Sequence, residues 1–322
     1  MKFCIVVLNW NGKEDTAKCL TSLRKLDGSC EIILVDNAST DDSVPYFRTA
    51  FPEVTILQND RNLGFAEGNN VGIRHALCGD AEYIFLLNND TVVAPDLLQQ
   101  LEAMLRTQSN PGILGATVYR LDETDRLDHL GGKWNPERME FDLIGKGEQM
   151  TSSPVELDYV CGAGILVKRE VFQQIGLLES RFFLFWEEAD FCARARNHGF
   201  SIQNCPTAHI WHKGSASFRG GKPHAAYFYW RGRLLWIEKH FPATNRWRAL
   251  LQLLRKEGIR QAKLALLKSL EYAALHYILR RKNTHEKRDR MLRYCASICG
   301  IWDYALRRFD GGPLWLTRAR KN

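Results

Sequence analysis

The stretch YIFLLNND, residues 83–90, is an apolar run that ends in two amides and a carboxylate. A short apolar run bounded by polar residues is typical of a buried strand. Core packing does not require such a strand to end in Asn88, Asn89 and Asp90. We therefore interpret this ending as a sign that polar chemistry takes place where the strand stops.

Residues 1–120 alternate short apolar runs with longer segments of mixed polarity. This alternation is typical of βα units on a parallel sheet and predicts an α/β fold. Pro95 suits the first turn of a helix. The predicted strands are residues 3–8, 31–36, 54–58, 83–87 and 112–119, and the predicted helices are residues 13–26, 43–50, 66–77 and 95–106.

Three further segments continue the chain. Residues 120–160 are polar and glycine-rich and predict a hairpin or a mobile loop. Residues 159–172 predict a strand entering a helix, and residues 182–200 an aromatic segment leading into an acidic helix start.

Polar side chains follow four of the predicted strands. Ligands of open parallel sheets bind outside the carboxyl ends of the strands, so we expect these groups to line one cleft. Helix N-capping is the alternative, above all for Ser39, Thr40 and Asp42. The groups are Asn9 and Asn11 after the first strand, Asp36 and Asn37 after the second, Asp60 and Asn62 after the third, and Asn88 to Asp90 after the fourth.

Two acidic clusters suggest chemistry. Asp90, with Asp36 expected nearby, suits Mg²⁺, which takes one or two carboxylates together with substrate phosphates. Glu187, Glu188 and Asp190 follow an aromatic run, which would raise a carboxyl pKa and suit a general base. The alternative is that these three acids only complement a helix dipole. His212 is an available further metal ligand, although most single histidines are structural.

Charge divides the chain of 322 residues, whose net charge is +7. Residues 243–322 carry 19 Lys and Arg against 6 Asp and Glu, whereas residues 1–242 have a net charge of −6. Nine scattered cysteines without a CxxC pair favour a reducing compartment. Because we find neither a signal peptide nor an apolar span of membrane length, we expect a cytoplasmic protein.

The basic C-terminal part contains an amphipathic pattern. Ile259, Leu266, Leu270, Ala273 and Tyr277 recur at helical spacing, and Lys256, Arg260 and Lys263 recur on another side. Such helices suit peripheral docking on an anionic membrane, or they form a cap on the rest of the protein with a solvated basic face. No recognised motif indicates nucleic acid binding.

Seven motifs together resemble glycosyltransferase family 2, the inverting enzymes with a GT-A fold, and in particular the rhamnosyltransferase-like branch that builds bacterial cell-surface polysaccharide. The resemblance covers residues 3 to about 242, which predicts a catalytic domain over 1–242 and a basic helical extension over 243–322. The motifs are VVLNWNGKEDTAKCLTSL, VDNASTDDS, NDRNLGFAEGNNVGIRHA, LLNND, CGAGILVKREVF, FFLFWEEADFCARA and HIWHKGSASF.

The resemblance implies roles for individual residues. In the nucleotide-sugar site, Leu8, Asn9, Asp36, Asp60 and Arg61 would lie against the base and ribose, Asn62, Gly64 and Asn69 would shape the loop over the donor, and Asn89 belongs to the LNND motif. Asp90 and His212 would hold Mg²⁺ or Mn²⁺, Glu188 would be the base beside Glu187 with Asp190 as the fallback, and Arg231 and Arg233 would contact the leaving diphosphate.

Two positions depart from the family pattern. Asn88 replaces the first acid of the DxD-type motif, and Glu188 stands where the family usually has Asp. The branch makes a dTDP-rhamnose donor the first expectation and a UDP-sugar the second, with a glycan or lipid-linked acceptor. The alternative function is a non-catalytic relative that binds a nucleotide sugar or a glycan.

Two other enzyme classes fit the residues less well. A dinucleotide oxidoreductase would need GxGxxG after the first strand, where this chain has NWNGKED. A phosphatase with an aspartate nucleophile would need DxDxT, where this chain has DNAST.

Overall fold

The computed structural model describes residues 1–107, 111–149, 153–214, 222–278 and 284–318. Two compact units are present. The first comprises Met1–Ser180 and Glu187–Gly214, and the second comprises Arg181–Trp186 and the described part of Ser215–Asn322. The domain boundary at residue 242 stays a prediction.

The first unit alternates strands and helices. Its strands are β1 (Phe3–Asn9), β2 (Cys30–Asp36), β3 (Thr55–Gln58), β4 (Tyr83–Asn88), β5 (Thr91–Val93), β6 (Pro111–Arg120), β7 (Gly131–Asn135), β8 (Glu140–Ile144), β9 (Tyr159–Val160), β10 (Gly164–Lys168) and β11 (Ser201–His212). Its α-helices are α1 (Lys13–Leu23), α2 (Ser43–Ala50), α3 (Gly64–Cys78), α4 (Leu97–Thr107), α5 (Arg169–Ile175) and α6 (Glu187–Asn197).

Eight strands form one sheet in the order β3-β2-β1-β4-β10-β6-β11-β5. β1 pairs in parallel with both β2 and β4, β2 with β3, and β6 with β11, whereas β10 and β5 pair antiparallel. The prediction of a mostly parallel α/β sheet is confirmed. The carboxyl ends of β1, β2, β3 and β4 therefore lie along one edge, where the sequence placed its polar residues.

The local predictions hold in most places. All five predicted strands are present, and the hairpin within 120–160 is β7 paired with β8, beside β9 in a second sheet. The expectation for Pro95 was wrong. Helix α4 begins at Leu97, so Pro95 lies in the preceding turn and not in the first turn of the helix.

Helix α3 packs on the sheet through two glycines. A Cβ atom at Gly72 would lie 2.4 Å from Val6 and 3.0 Å from Val35, and one at Gly68 would lie 2.8 Å from Leu8. These strand residues belong to β1 and β2, so the glycines bring the helix close to the two strands that end in the polar cluster. This close approach positions the start of α3, where the loop after β3 returns to the sheet.

Replacing Gly72 by alanine should destabilise the protein. Alanine favours a helix by about 1 kcal/mol over glycine, but overpacking a core costs about 1–3 kcal/mol, and Val6 is fully buried. We expect a lower urea midpoint than that of the wild type. Gly79→Ala is the matched control, because its Cβ would meet its nearest neighbour at 3.5 Å. Equal midpoints for the two variants would contradict the packing argument.

The second unit is helical. It contains α7 (Pro223–His240), α8 (Ala243–Leu253), α9 (Ile259–Ala273), α10 (His285–Ala305) and α11 (Leu314–Arg318), with π turns at Leu254–Gly258 and Ala274–Ile278. α10 packs against both α7 and α9. A small core includes Tyr227 and Phe228 of α7 and Ala296 of α10. The predicted C-terminal helices are therefore present. Among the described residues, no helix has the length and apolarity needed to cross a bilayer.

Candidate active site

Asn9 and Asp36 form a buried polar pair at the ends of β1 and β2. Nδ2 of Asn9 donates to Oδ1 of Asp36 at 2.8 Å and to the hydroxyl of Ser39 at 3.1 Å. The second carboxylate oxygen of Asp36 accepts from the backbone N–H of Ser39 at 2.9 Å. Because both side chains are fully buried, they fix the shape of the loop after β2.

The capping alternative fails for Asp42. This residue occupies the N-cap position of α2 without a side-chain cap hydrogen bond, and its carboxylate pairs with Lys13 at 2.8 Å. Thr40 donates its backbone N–H to Oδ1 of Asn11 at 2.7 Å. The polar residues after β1 and β2 thus bond to one another across the loops.

Asn37 organises the loop after β3. Its Nδ2 donates to Oδ1 of Asn62 at 3.0 Å and to the carbonyl of Gly64 at 2.9 Å, and its Oδ1 accepts from the N–H of Leu63 at 2.9 Å. Gly64 has φ +82°, a conformation that glycine adopts without strain. This network shapes the beginning of α3.

Four more predicted nucleotide contacts lie around this loop. Leu8 is half-buried, and Asp60 and Arg61 are exposed. Asn69 is buried and donates to the carbonyl of Phe65 at 2.9 Å within α3. Leu8, Asp60 and Arg61 are therefore accessible to a ligand without rearrangement, whereas the buried Asn69 is not.

The loop after β4 is tied back to β1. Nδ2 of Asn89 donates to the hydroxyl of Thr16 at 2.8 Å, and that hydroxyl donates to Oδ1 of Asn9, also at 2.8 Å. A Cβ at Gly12 would lie 2.6 Å from this amide of Asn89. Asn89 therefore positions the loop that presents Asp90.

His212 lies between two carboxylates. Its Nε2 is 3.1 Å from Oδ1 of Asp90, and its Nδ1 is 2.9 Å from Oδ2 of Asp128. His212 is the last residue of β11 and pairs with Thr91 of β5. Because Thr91 directly follows Asp90, this antiparallel pairing brings His212 next to Asp90. Sequence reasoning placed Asp90 and His212 in one site, and the structure brings them into contact.

The carboxylates determine the protonation of this cluster. Burial alone would lower the pKa of His212, but hydrogen bonds and charge from Asp128 and Asp90 outweigh it and raise the pKa to about 9. Burial likewise opposes ionisation of Asp90, yet the hydrogen bond and charge of His212 hold the pKa of this carboxyl below its ordinary value. The two carboxylates therefore favour the protonated imidazole.

The same atoms fit a divalent cation. Adjacent ligands of an octahedral ion with bonds of about 2.1 Å are roughly 3 Å apart, close to the 3.1 Å between Asp90 and His212. Oδ1 of Asn88 is a buried acceptor without a partner among the described residues, and Nδ2 of the same side chain lies 3.5 Å from Nε2 of His212. Asp128 would orient the imidazole through Nδ1, as carboxylates behind metal-bound histidines do.

Glu187 and Glu188 begin α6 side by side. Burial, followed by the negative charge of Glu188, raises the pKa of Glu187 well above its ordinary value. Among the described residues, Oε2 of Glu187 is buried without a hydrogen-bond partner. Glu188 is only partly buried and lies beside Gly162, where a Cβ would be 3.7 Å from its carboxyl carbon. Burial therefore favours the protonated form of Glu187, which lies next to the partly buried Glu188.

Asp190 is engaged elsewhere. It is fully buried, and its Oδ2 accepts from Nε of Arg194 at 2.8 Å. Arg194 also donates to the carbonyls of Ile175 and Leu177, both at 2.7 Å. These contacts suit a residue that anchors α6.

Arg231 and Arg233 lie in the helical unit. Arg231 is fully buried and donates to the carbonyl of Asp310 at 2.7 Å, with its guanidinium close to the rings of Tyr227 and Phe228. Arg233 is 1% exposed and pairs with Glu257 at 3.3 Å. Their contact with a leaving diphosphate stays a prediction.

A comparison with a protein-family model shows which family the chain belongs to. The model described as "Glycosyl transferase family 2" matches residues 4–176, which is more than half of the chain. The chain belongs to glycosyltransferase family 2. The family predicted from the motifs, and with it the predicted class of enzyme, is confirmed.

Two curated relatives of this transferase act on sugars. It is 26% identical to the low-salt glycan biosynthesis hexosyltransferase Agl10 of Haloferax volcanii, over 65% of this chain and 66% of that protein. It is 22% identical to the dTDP-rhamnosyl transferase RfbF of Shigella flexneri, over 64% of this chain and 67% of that protein. The transferase thus spans about two thirds of the length of these relatives.

A solved structure confirms the fold of the transferase. The mannosyltransferase PcManGT of Pyrobaculum calidifontis, in complex with GDP-Man and Mn²⁺, superposes with a TM-score of 0.56. It is 14% identical, and the match covers 94% of this chain and 87% of that one. The GT-A architecture predicted from the motifs is therefore present.

Sequence reasoning missed Asp128. It lies in the polar segment between β6 and β7, and its partner His212 is 84 positions away. The acid and glycine content of that segment predicted only a loop or hairpin. No local pattern distinguishes Asp128 from the exposed Asp122 and Asp125 beside it.

Proposed function

We propose that the transferase moves a sugar from a nucleoside-diphosphate donor to a glycan or lipid-linked acceptor in cell-surface polysaccharide synthesis, with inversion at the anomeric carbon. It would act in the cytoplasm, at the inner face of the plasma membrane. The contact of Asp90 with His212 carries the proposal, because it unites the LNND motif and the histidine motif in one site. The similarity to a dTDP-rhamnosyl transferase supports dTDP-rhamnose as the first donor, with a UDP-sugar second.

The nucleotide would lie along the carboxyl ends of β1, β2 and β3. The backbone after Leu8 and the buried pair of Asn9 and Asp36 would form the floor beneath it. Asp60 and Arg61, which are exposed, would flank the base and ribose. Asn62, Gly64 and Asn69 would hold the loop that begins α3. Because Asn9 already bonds to Asp36 and Gly64 to Asn62, these parts of the site would be preorganised for the ligand.

Asp90 and His212 would hold Mg²⁺ or Mn²⁺, and Asn88 offers its free amide oxygen beside them. A bound cation supplies electrostatic stabilisation of the diphosphate as negative charge develops on it. Asp128 would keep Nε2 of His212 directed at the ion. Arg231 and Arg233 would add positive charge beside the leaving diphosphate.

Glu188 would act as the general base. It would accept the proton of the acceptor hydroxyl while that oxygen forms a bond to the anomeric carbon and the bond from this carbon to the diphosphate oxygen breaks. Glu187, kept neutral by burial, would hydrogen-bond to the carboxylate of Glu188. Asp190 would anchor the helix through Arg194, which favours Glu188 over the fallback base.

The test is to incubate the protein with dTDP-rhamnose, UDP-glucose or UDP-N-acetylglucosamine, divalent cation and a lipid-linked sugar acceptor. We expect NMR of the product to show one donor consumed and an anomeric configuration opposite to that of the donor. A product with retained configuration would refute the single displacement. Calorimetric binding of a donor without any transfer would instead support the non-catalytic relative.

Replacing Asp128 by asparagine should weaken cation binding. The amide would present an N–H to Nδ1 of His212 and favour the tautomer with its proton on Nε2. Loss of a carboxylate that orients a metal-bound histidine typically lowers metal affinity by about 10–100-fold. The measurement is titration of Mn²⁺ by electron paramagnetic resonance in the presence of dTDP.

The control is Asp125→Asn, which changes an exposed acid of the same segment. Its Mn²⁺ affinity should equal that of the wild type. Wild-type affinity in Asp128→Asn would show that the carboxylate does not position the imidazole.

A further inference from the structure

The helix from residue 243 to residue 278 exposes a row of large apolar side chains. We call this row the apolar stripe, and its members are 51–76% exposed. Exposed apolar side chains grouped on one side of an element mark interaction sites in soluble proteins. The stripe consists of Trp247, Leu251, Ile259, Leu266, Leu270 and Ile278.

The two π turns keep the stripe on one side of the helix. The steps from 251 to 259 and from 270 to 278 each span eight residues, which in a regular α-helix turns a side chain by about 80° away from its predecessor. Each step crosses a π turn, at Leu254–Gly258 or Ala274–Ile278. A π turn accommodates one extra residue, so it returns the next side chain to the same face.

Basic side chains accompany the stripe. We call Arg248, Arg255, Lys256, Arg260 and Lys263 the basic flank; all five are exposed. Within the described part of the chain, no member of the basic flank forms an ion pair with an acidic residue.

The two acids of this helix are already occupied. Glu257 pairs with Arg233 of α7 at 3.3 Å, and Glu271 pairs with Lys268 at 2.6 Å and also with Lys287 of α10. The acids therefore fasten the helix to the rest of its unit. The cations of the flank remain available for an external anion.

Part of the flank surrounds a depression on the helical surface. The depression has a volume of about 500 Å³ and is lined by Arg248, Leu251, Gln252, Arg255 and Lys256. One member of the stripe therefore lies among three cations. An apolar side chain ringed by positive charge is complementary to a surface that presents phosphate groups above hydrocarbon.

We propose that the apolar stripe and the basic flank form one docking surface for an anionic lipid bilayer. The stripe would enter the boundary between headgroups and acyl chains, and the flank would meet lipid phosphates, as amphipathic interfacial helices do. This docking surface would account for the membrane location given in the proposed function, and it rests on that part of the proposed function alone. The vesicle assay below needs no sugar donor, so its failure leaves the transfer reaction untouched.

The test is sedimentation of the full chain with vesicles of equimolar phosphatidylglycerol and phosphatidylcholine, or of phosphatidylcholine alone. We expect binding to the anionic vesicles, weaker binding to the neutral ones, and release as ionic strength rises. Leu266→Ser/Leu270→Ser should lower binding at least about tenfold per leucine. Arg255→Gln/Lys256→Gln should lower binding to anionic vesicles by about fivefold per cation.

The matched control is Leu121→Ser/Leu143→Ser, which changes two leucines that are 38% and 42% exposed in the first unit. It should bind vesicles like the wild type. Circular dichroism will show whether each variant keeps its helices.

Three outcomes would overturn the proposal. The wild type fails to bind anionic vesicles, or the stripe variant binds them as the wild type does. The third is a wild type that dimerises in analytical ultracentrifugation while Leu266→Ser/Leu270→Ser is monomeric, which would assign the surface to a second copy of the chain.

Discussion

Asp90→Ala is expected to abolish cation-dependent binding of the donor nucleotide and to lower kcat/KM by about 10²–10³-fold, the scale of losing a key electrostatic group. Asp90 lies just after the end of β4, and its Oδ1 is 3.1 Å from Nε2 of His212. Without it, the proposed cation would keep only neutral ligands, the imidazole of His212 and the amide oxygen of Asn88. Calorimetry of dTDP and UDP with and without Mn²⁺ measures the effect.

Asp80→Ala serves as the control, because Asp80 is an exposed acid whose partner is the exposed Lys2. Cation dependence in this variant should match the wild type. If Asp90→Ala still binds nucleotide in a cation-dependent way, the cation is held elsewhere and the assignment of LNND as the metal motif fails.

Glu188→Gln is expected to lower kcat by about 10²–10⁴-fold, the range that general base catalysis contributes. Glutamine has nearly the same shape but cannot accept the acceptor's proton. Binding of the donor nucleotide should remain near the wild-type level, since the base acts on the acceptor hydroxyl. Steady-state kinetics together with calorimetry separates the two effects.

Glu187→Gln is the matched comparison. Burial and the charge of Glu188 keep the pKa of Glu187 high, so an amide mimics its neutral form and can still donate a hydrogen bond. We expect a much smaller loss of kcat than in Glu188→Gln. If Glu187→Gln loses more kcat than Glu188→Gln, the base is Glu187. If neither variant loses most of its kcat, the base is not in this pair.

Much of the fold was accessible from local patterns. Alternation of apolar runs predicted β1, β2, β3, β4 and β6 and the helices between them, because burial on both faces of a parallel strand requires a continuous apolar run. The same alternation placed Asn9, Asp36 and Asp90 at strand ends. The motif resemblance added the family, which the family model confirmed.

Other features depended on pairing between distant segments. The alternation of apolar runs did not predict that β10 lies antiparallel between β4 and β6, or that Thr91–Val93 forms an edge strand against β11. Those pairings bring His212 to Asp90. Asp128 was invisible for the same reason, since its partner lies 84 positions away.

The sequence by itself determined the α/β class, the strand ends that carry polar groups, the family and the basic C-terminal part. Only the tertiary structure decided that His212 lies between Asp90 and Asp128, that Asp190 is held by Arg194, and that two π turns align the apolar stripe. The periodicity of apolar residues reflects whether each side chain contacts water or the core, so it can be detected from neighbouring residues in the sequence. A hydrogen bond between remote side chains depends on strand order and register, which no local pattern contains.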